Sequence, residues 1–192
     1  STLLAIVTEG RNGRNYYAPT DEQARIAALA QPKWAPTEEL PYEPRAIWVT
    51  LYGLTTYDKL FTPRQLVALT TFSDLLAEAR VQAETDAKAA GLPDDGIPLR
   101  DGGRGAKAYA EAVSVYLGFG VSRSSNMWGN LARWSPLAVH ELPLLVFARQ
   151  ALAMVWDFAE ANPFSNSGGN WIDSFDFVPK AVEKALSIGG AS

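Results

Sequence analysis

The chain contains no cysteine and a single histidine, His140, among its 192 residues. Without cysteine it forms no disulfide, offers no thiolate nucleophile and binds no metal through sulfur. One imidazole excludes a multi-histidine zinc site, and a Ser-His-Asp triad would have to use His140. These absences exclude several common enzyme classes, and we expect no metal to be bound.

Long apolar runs are also missing from the sequence. No segment approaches the ~18 consecutive apolar residues that a membrane-spanning helix needs. We therefore expect a soluble protein of the cytoplasm, with no membrane partner. Apolar residues make up 47% of the chain and charged residues 20%, which is ordinary for a globular domain with its own hydrophobic core.

The net charge of −4 is unevenly distributed along the chain. Residues 96–150 contain six basic and three acidic side chains, whereas the segments on both sides are acidic. General attraction to nucleic acid is therefore disfavoured. The basic middle segment is compatible with a local surface that contacts phosphate, although a solvated helix face is the commoner arrangement.

The first third of the chain combines strand and turn signals. Residues 1–19 predict a β-hairpin, because β-prone runs flank an Asn-Gly pair that favours tight turns. A capping box that starts at Thr20 predicts a short helix. For residues 20–61 we expect this helix, a connector with four prolines, and a strand over residues 46–52.

The strongest helix signal lies at the start of the segment 62–192, which we expect to be helical. Thr62 suits the N-cap, Pro63 the first turn and Gln65 the capping box. Apolar residues then recur at helical spacing up to Gly91, which predicts one long helix. A similar stripe over residues 106–121 predicts a second.

Two further helices are predicted near the end of the chain. Residues 142–161 predict a third long helix that ends before Asn-Pro, and residues 179–187 predict a short last helix that begins at a proline. The expected class is α+β, mostly α-helical. We expect a front β-hairpin packed on a bundle of three long and a few short helices, all in a single domain over residues 1–192.

Three groups of residues suggest chemistry. Asn162-Pro163-Phe164 resembles part of the Asp/Asn/Ser-Pro-Pro-aromatic loop with which amine methyltransferases bind a flipped base, but the chain has no Pro-Pro, and a broken helix end is the alternative. Asp157 and Glu160 would share one face of the predicted helix, as an acid–base pair or as a solvated edge. The aromatic residues Tyr52, Tyr57 and Trp128 could stack on bases.

Several segments together resemble one family. They are residues 52–66 (YGLTTYDKLFTPRQL), 68–72 (ALTTF), 133–136 (RWSP) and 147–164 (FARQALAMVWDFAEANPF), together with the front hairpin. They are similar to the prokaryotic adenine-specific DNA methylases that begin with a domain of unknown function. The resemblance covers nearly the whole chain, and the two long segments are its most specific part.

The resemblance implies an accessory or target-engaging segment of a DNA methyltransferase that depends on S-adenosylmethionine and modifies adenine. In that family the glycine motif that binds the cofactor precedes such a region, and the Asp-Pro-Pro-Tyr catalytic motif follows it. Both are missing here, so we expect S-adenosylmethionine to bind the parent protein and no cofactor to bind this segment. The start at Ser1 without methionine fits an excised insert.

The partners that the resemblance implies are DNA, reached through the parent protein, and the methyltransferase core domain. We expect no catalytic residue in this segment. The candidate residues for contact with DNA or with the core domain lie in the two long segments of the resemblance. They are Tyr52, Tyr57, Phe61, Arg64, Gln65, Arg149, Gln150, Trp156, Asp157, Asn162 and Phe164.

Two alternatives stay open from the sequence. The chain could be a protein–protein or nucleic-acid binding module that performs no chemistry even in its parent, or a small hydrolase that uses His140. For Arg64 in particular, contact with DNA phosphate competes with a purely structural role. In the structural role, Arg64 pairs with a carboxylate such as Asp157 and fixes one helix on another.

The absence of both methyltransferase motifs generates the first testable prediction. The chain by itself is expected to transfer no methyl group and to bind no S-adenosylmethionine, because neither the cofactor glycine motif nor the Pro-Pro loop is present. Isothermal titration calorimetry with the cofactor measures this directly. A micromolar dissociation constant for the isolated chain would contradict the prediction.

Overall fold

The computed structural model describes residues 2–137 and 141–189 of the chain. The chain forms two compact units: Ser1–Thr70 with Ser125–Gly169 is unit 1, and Thr71–Ser124 with Asn170–Ser192 is unit 2. Four α-helices predominate over two short pairs of strands. The expected α+β, mostly helical class is therefore confirmed.

A β-hairpin opens unit 1, as the sequence predicts. Strands β1 (Ile6–Gly10) and β2 (Gly13–Tyr17) pair antiparallel, and Gly10 lies opposite Gly13. Gly13 has a φ of 136°, a backbone conformation that side-chain-bearing residues rarely adopt. The Asn-Gly signal thus marks the end of the turn, where the chain enters the second strand.

Backbone and side-chain groups of β2 bind the hairpin to residues of unit 1 that lie far away in the sequence. The backbone N–H of Arg14 donates to the Glu141 carboxylate at 2.9 Å, and the Arg14 guanidinium donates to Ser167 at 2.7 Å. The Tyr16 hydroxyl donates to Glu141 at 3.1 Å and accepts from the indole N–H of Trp134, also at 3.1 Å. An isolated two-stranded ribbon is marginal in water, so these contacts stabilise it.

The two predicted capping boxes are both present. Helix α1 (Asp21–Ala28) is capped by Thr20, whose hydroxyl accepts the N–H of Gln23 while the Gln23 side chain accepts the N–H of Thr20. Helix α2 (Pro63–Ala89) starts in the same way, with Thr62 and Gln65 buried. Each box satisfies two backbone donors that a helix start would otherwise leave unpaired.

Helix α2 ends where the glycine signal predicts. Gly91 has a φ of 92°, and its N–H donates to the carbonyl of Lys88 at 3.0 Å. The Lys88 ammonium lies 2.9 Å from both Glu84 and Asp94, and these hydrogen-bonded carboxylates raise the pKa of Lys88 above its ordinary value. The last turn of α2 is therefore tied to the loop that follows it.

The strand predicted over residues 46–52 is wrong. Residues Trp48–Tyr52 form a 3-10 helix that ends at Gly53 with a φ of 86°. Only an isolated bridge between Ile47 and Leu152 remains of the expected strand pairing. Val49 lies in this 3-10 helix and is fully buried. Burial of its side chain, rather than hydrogen bonding to a neighbouring strand, therefore stabilises the segment.

The hydrophobic core of unit 1 is assembled from short, irregular segments. Its buried centre consists of Leu40, Val49, Leu60 and Leu131. Partly buried apolar side chains surround this centre; they are Ile47, Leu54, Phe61, Val146, Leu152, Met154 and Val155. Members from four separate stretches of chain meet in one cluster, so this core depends on long-range contacts.

The long helix predicted over residues 142–161 is also wrong, because these residues, all described, contain no helix. Leu142–Pro143 forms strand β4, which pairs antiparallel with β3 (Trp134–Ser135). Further along, Leu152 donates to the carbonyl of Ala46 at 2.7 Å. Backbone bonds to distant segments replace the i to i−4 bonds of a helix, so tertiary contacts override helix propensity here.

Unit 2 contains helix α3 (Ala106–Ser124) and helix α4 (Trp171–Gly189). Gly120 allows their close approach, because a Cβ atom at this position would lie 3.1 Å from the Trp171 ring. The Trp171 ring stacks on Phe72, with ring centres 4.4 Å apart. Within the described residues, no helix has the length and apolar character that a bilayer crossing requires.

The last helix starts earlier than the sequence predicts, at Trp171 rather than at Pro179. Asn170 caps it: its side-chain oxygen accepts the N–H of Asp173, and its amide donates to the Asp173 carboxylate, both at 2.7 Å. Pro179 therefore lies inside the helix, where proline removes one backbone donor. Stacking of Trp171 on Phe72 helps to offset that loss.

The pair of capping boxes provides a matched test of helix starts. Thr62→Ala should lower the free energy of unfolding by roughly 0.5–2 kcal/mol, because it leaves a buried donor of α2 unpaired. Thr20→Ala removes the same cap from a short, exposed helix and should cost less. Urea denaturation followed by circular dichroism measures both. Equal midpoints for Thr62→Ala and the unchanged protein would contradict the prediction.

Candidate functional site

Unit 1 contains a pocket of about 420 Å³ beside β3. We call it the aromatic pocket, and its lining residues are Arg133, Trp134, Met154, Val155, Trp156, Asp157 and Phe158. The pocket is a shallow depression that is largely open to solvent, so it offers a surface for contact rather than an enclosing cavity. Two stretches of chain build the pocket, one at the start of β3 and one within the segment that sequence patterns assign to a helix.

Backbone bonds position the second stretch. The carbonyl of Leu152 accepts hydrogen bonds from the N–H groups of Trp48 and Val49, at 3.0 and 3.3 Å. Further along the chain, the N–H of Ala159 donates to the carbonyl of Ala132 at 2.7 Å. Between these two anchors, Met154 and Val155 pack against the hydrophobic core. Trp156 and the residue after it are exposed. The irregular backbone thus turns two neighbouring residues inward and the next two outward.

The aromatic rings of the pocket are supported from outside it. The Tyr52 ring meets Trp156 edge to face, with ring centres 5.4 Å apart and an interplanar angle of 83°. Trp134 is held through its indole N–H, which donates to the Tyr16 hydroxyl. Trp156 is nevertheless 73% exposed, so its ring remains available to a ligand.

Two opposite charges lie in the aromatic pocket. Arg133 and Asp157 are both exposed. Among the residues that the structure describes, neither side chain takes part in a hydrogen bond or an ion pair. The pocket therefore combines aromatic surface with one uncommitted guanidinium and one uncommitted carboxylate.

A second pocket of about 260 Å³ lies at the start of α2. We call it the ion-pair pocket, and its lining residues are Arg64, Gln65, Ala68, Trp128, Glu160, Ala161, Asn162 and Pro163. The Arg64 guanidinium donates to both carboxylate oxygens of Glu160, at 2.7 and 2.8 Å. Both charges are thereby neutralised, which leaves Arg64 less suited than a free arginine to bind phosphate.

Gln65 gives the ion-pair pocket a buried amide. Its side-chain oxygen accepts the N–H of Thr62 at 2.8 Å, and this bond fixes the orientation of the amide. The amide nitrogen is buried without a hydrogen-bond partner in the described part of the chain. An unpaired buried donor is costly, so the Gln65 amide nitrogen favours binding of a group with a hydrogen-bond acceptor at the start of α2.

The candidate residues from the sequence fall into four groups. Trp156 and Asp157 line the aromatic pocket, with Tyr52 against Trp156; Arg64, Gln65 and Asn162 line the ion-pair pocket. Phe61 packs against the hydrophobic core. The remaining four are exposed and line neither pocket; they are Tyr57, Arg149, Gln150 and Phe164.

Three interpretations from the sequence need correction. Asp157 and Glu160 share no helix face, because the helix is absent, and they line different pockets. Trp128 is not free to stack on a base, since it is 1% exposed and its indole N–H donates to the carbonyl of Gly169 at 2.6 Å. The carboxylate that pairs with Arg64 is Glu160 rather than Asp157.

Two other sequence hypotheses have different outcomes. The Asn162 side-chain oxygen accepts the N–H of Phe164 at 3.0 Å, so it stabilises a local turn. His140 lies outside the described residues. Among those residues, no group of three or more acidic or imidazole side chains is placed to hold a metal ion.

Sequence reasoning missed five of the seven residues that line the aromatic pocket. Arg133 and Trp134 belong to a short segment of the family resemblance, but no local pattern singles them out as a site. Met154, Val155 and Phe158 belong to the long helix predicted over residues 142–161, which these residues do not form. The bond from the N–H of Ala159 to the carbonyl of Ala132 joins the two stretches of chain that carry these residues.

The ion pair between Arg64 and Glu160 generates the next prediction. The two side chains are 36% and 23% exposed, so solvent screens the pair only in part. Arg64→Gln and Glu160→Gln should each lower the free energy of unfolding by about 1 kcal/mol, with a coupling energy of similar size in a double-mutant cycle.

Thermal and urea unfolding of the two single variants and the double variant measure this coupling. The exposed pair of Arg25 and Glu22 in α1 is a matched control, since both its side chains are 62% exposed. Its coupling energy is expected to be smaller. Equal coupling energies in the two pairs would show that burial adds nothing to the pair at α2.

The chain matches no protein-family model, no curated protein and no solved structure.

Proposed function

We propose that this chain is the target-engaging segment of an S-adenosylmethionine-dependent, adenine-specific DNA methyltransferase, and that the aromatic pocket is its contact with DNA. The observation that carries the proposal is an exposed tryptophan beside an uncommitted arginine in one pocket. The resemblance of residues 52–66 and 147–164 to adenine-specific methylases supports it, because these stretches supply Tyr52, Trp156 and Asp157.

The chemistry of the aromatic pocket suits single-stranded or locally opened DNA. Stacking of a base on an aromatic side chain contributes about 1–3 kcal/mol, and every base has a face that can stack. Trp156 offers such a surface, and Arg133, which is exposed in the same pocket, supplies a cation that can attract a phosphate. The acidic chain as a whole contributes little general attraction, so the contact is expected to be local.

Methyl transfer itself is assigned to the parent protein. Neither the glycine motif nor a Pro-Pro loop occurs in this sequence, and the Asn162 side-chain oxygen is engaged with Phe164. In the proposed division of labour, the core domain binds S-adenosylmethionine and performs the reaction. This segment presents DNA to it, in the cytoplasm.

A protein–protein binding module is the second candidate. The 3-10 helix Trp48–Tyr52 exposes large apolar side chains, with Leu51 72% and Tyr52 54% exposed, and the Tyr52 ring contacts the exposed Trp156. A contiguous exposed apolar surface is typical of an interface with another protein. In the parent protein, the methyltransferase core domain would be the partner.

DNA binding of the chain tests the proposal. Fluorescence anisotropy with a labelled single strand of about twelve nucleotides should show binding that weakens with salt. Trp156→Ala should reduce the affinity roughly fivefold to a hundredfold, because one stacking surface is lost. Arg133→Gln should weaken binding and reduce the slope of log affinity against log salt by about one.

The control variant is Tyr42→Ala, which removes an aromatic ring that is 87% exposed in unit 1 and lies outside both pockets. Its affinity for DNA should equal that of the unchanged chain. The proposal would be contradicted if Trp156→Ala left the affinity for DNA unchanged, or if the unchanged chain bound no DNA at low salt. If the chain bound no DNA but captured the separately expressed core domain, that result would favour the protein–protein binding module.

A further inference from the structure

We infer that the ion-pair pocket binds a small neutral group whose carbonyl oxygen accepts a hydrogen bond from the side-chain amide of Gln65. The site shares no residue with the aromatic pocket and goes beyond the proposed contact with DNA. Three features carry the inference: a fixed, buried donor without a partner, apolar walls, and two charges that neutralise each other.

The donor is the amide nitrogen of Gln65. This residue lines the pocket and is 5% exposed, and its amide nitrogen has no hydrogen-bond partner among the described residues. The amide oxygen accepts the N–H of Thr62 at 2.8 Å. Because the amide group is planar, this bond directs the nitrogen away from the helix cap. A buried donor in this position gains free energy when an acceptor reaches it.

Helix capping does not account for the amide nitrogen. A capping box uses only the side-chain oxygen of its fourth residue, and glutamate supplies that oxygen as well as glutamine does. In the matched box at α1, Gln23 performs the same task from an exposed position. The cap therefore explains the oxygen of Gln65, whereas the buried nitrogen requires a separate acceptor.

The walls of the pocket favour a ligand with a small apolar body. Ala68, Ala161 and Pro163 contribute small apolar side chains. Trp128 contributes an indole whose N–H already donates to the carbonyl of Gly169 at 2.6 Å. The pocket is also more enclosed than the aromatic pocket, so an apolar group bound there loses more of its contact with water.

The charges of the pocket favour a neutral ligand. The Arg64 guanidinium donates to both carboxylate oxygens of Glu160, at 2.7 and 2.8 Å, so the pair offers little net attraction to an ion. A neutral carbonyl group leaves this pair intact. Its partially negative oxygen is also favoured at the start of α2, where the helix dipole is positive.

Nuclear magnetic resonance of the full chain tests the inference with two small probes. N-methylacetamide has one carbonyl oxygen between two small apolar groups, whereas methylammonium only donates hydrogen bonds. N-methylacetamide should bind in the millimolar range and shift the side-chain amide resonances of Gln65 and the backbone amide of Ala68. Methylammonium should bind at least about fivefold more weakly. The exposed side-chain amides of Gln23 and Gln150 should show no saturable shift.

Gln65→Glu is the decisive variant. The new carboxylate keeps an oxygen for the N–H of Thr62, so the cap persists, but an acceptor replaces the free donor. The helix start favours the ionised form of that carboxylate. Followed at Ala68, the affinity for N-methylacetamide should fall at least about fivefold, and that for methylammonium should rise. Gln23→Glu makes the same change outside the pocket and should alter neither affinity.

A second variant blocks the pocket while it keeps the donor. Ala68→Leu enlarges a side chain of the pocket wall, and leucine preserves helix propensity. Binding of N-methylacetamide, followed at the Gln65 side-chain amide, should be lost. Ala77→Leu places the same side chain at an exposed position of α2 and should leave the affinity unchanged.

A blocked alanine tripeptide distinguishes the two sources of such a carbonyl group. If the tripeptide binds more tightly than N-methylacetamide, the site takes the backbone of a polypeptide segment; if it binds equally or more weakly, the site takes a free small ligand. The inference is wrong if N-methylacetamide leaves the Gln65 amide unshifted, because water is then sufficient for that donor. It is also wrong if either Gln65→Glu or Ala68→Leu, shown folded by circular dichroism, binds N-methylacetamide with unchanged affinity.

Discussion

The backbone pairing of Leu152 is the constraint on which unit 1 depends. Its N–H donates to Ala46 at 2.7 Å, and its carbonyl accepts the N–H of Trp48 at 3.0 Å and of Val49 at 3.3 Å. These bonds use groups that a helix over residues 142–161 would pair locally. The segment is thereby held extended against the core, which sends its apolar side chains inward and exposes Trp156 and Asp157.

The extended backbone also separates charges that a helix would bring together. On a helix, Asp157 and Glu160 would share one face and compete for the same cations. In the structure Glu160 pairs with Arg64 at the start of α2, whereas Asp157 lines the aromatic pocket, as Arg133 does. One carboxylate therefore stabilises the start of α2, and the other is exposed to solvent in the aromatic pocket.

The elements that the sequence predicts correctly have signals confined to neighbouring residues. The hairpin follows from an Asn-Gly pair, and helices α1 and α2 follow from capping boxes that need only four residues each. Among the site residues, Tyr52, Trp156 and Asp157 were singled out by the family resemblance. The sequence does not indicate that Arg133 and Phe158 line the same pocket. They lie on two stretches that are far apart along the chain, and a backbone bond between Ala159 and Ala132 joins these stretches in the structure.

Local chemistry is thus sufficient for the hairpin turn, for the starts of α1 and α2 and for the end of α2, since the groups that satisfy each backbone donor or acceptor there lie within a few residues. It is insufficient where those groups lie far along the chain. Residues 142–161 have high helix propensity, worth a few tenths of a kcal/mol per residue, and burial of Leu152, Met154 and Val155 with distant backbone partners outweighs it. Because this balance involves residues about a hundred positions apart, both pockets arise from tertiary contacts alone.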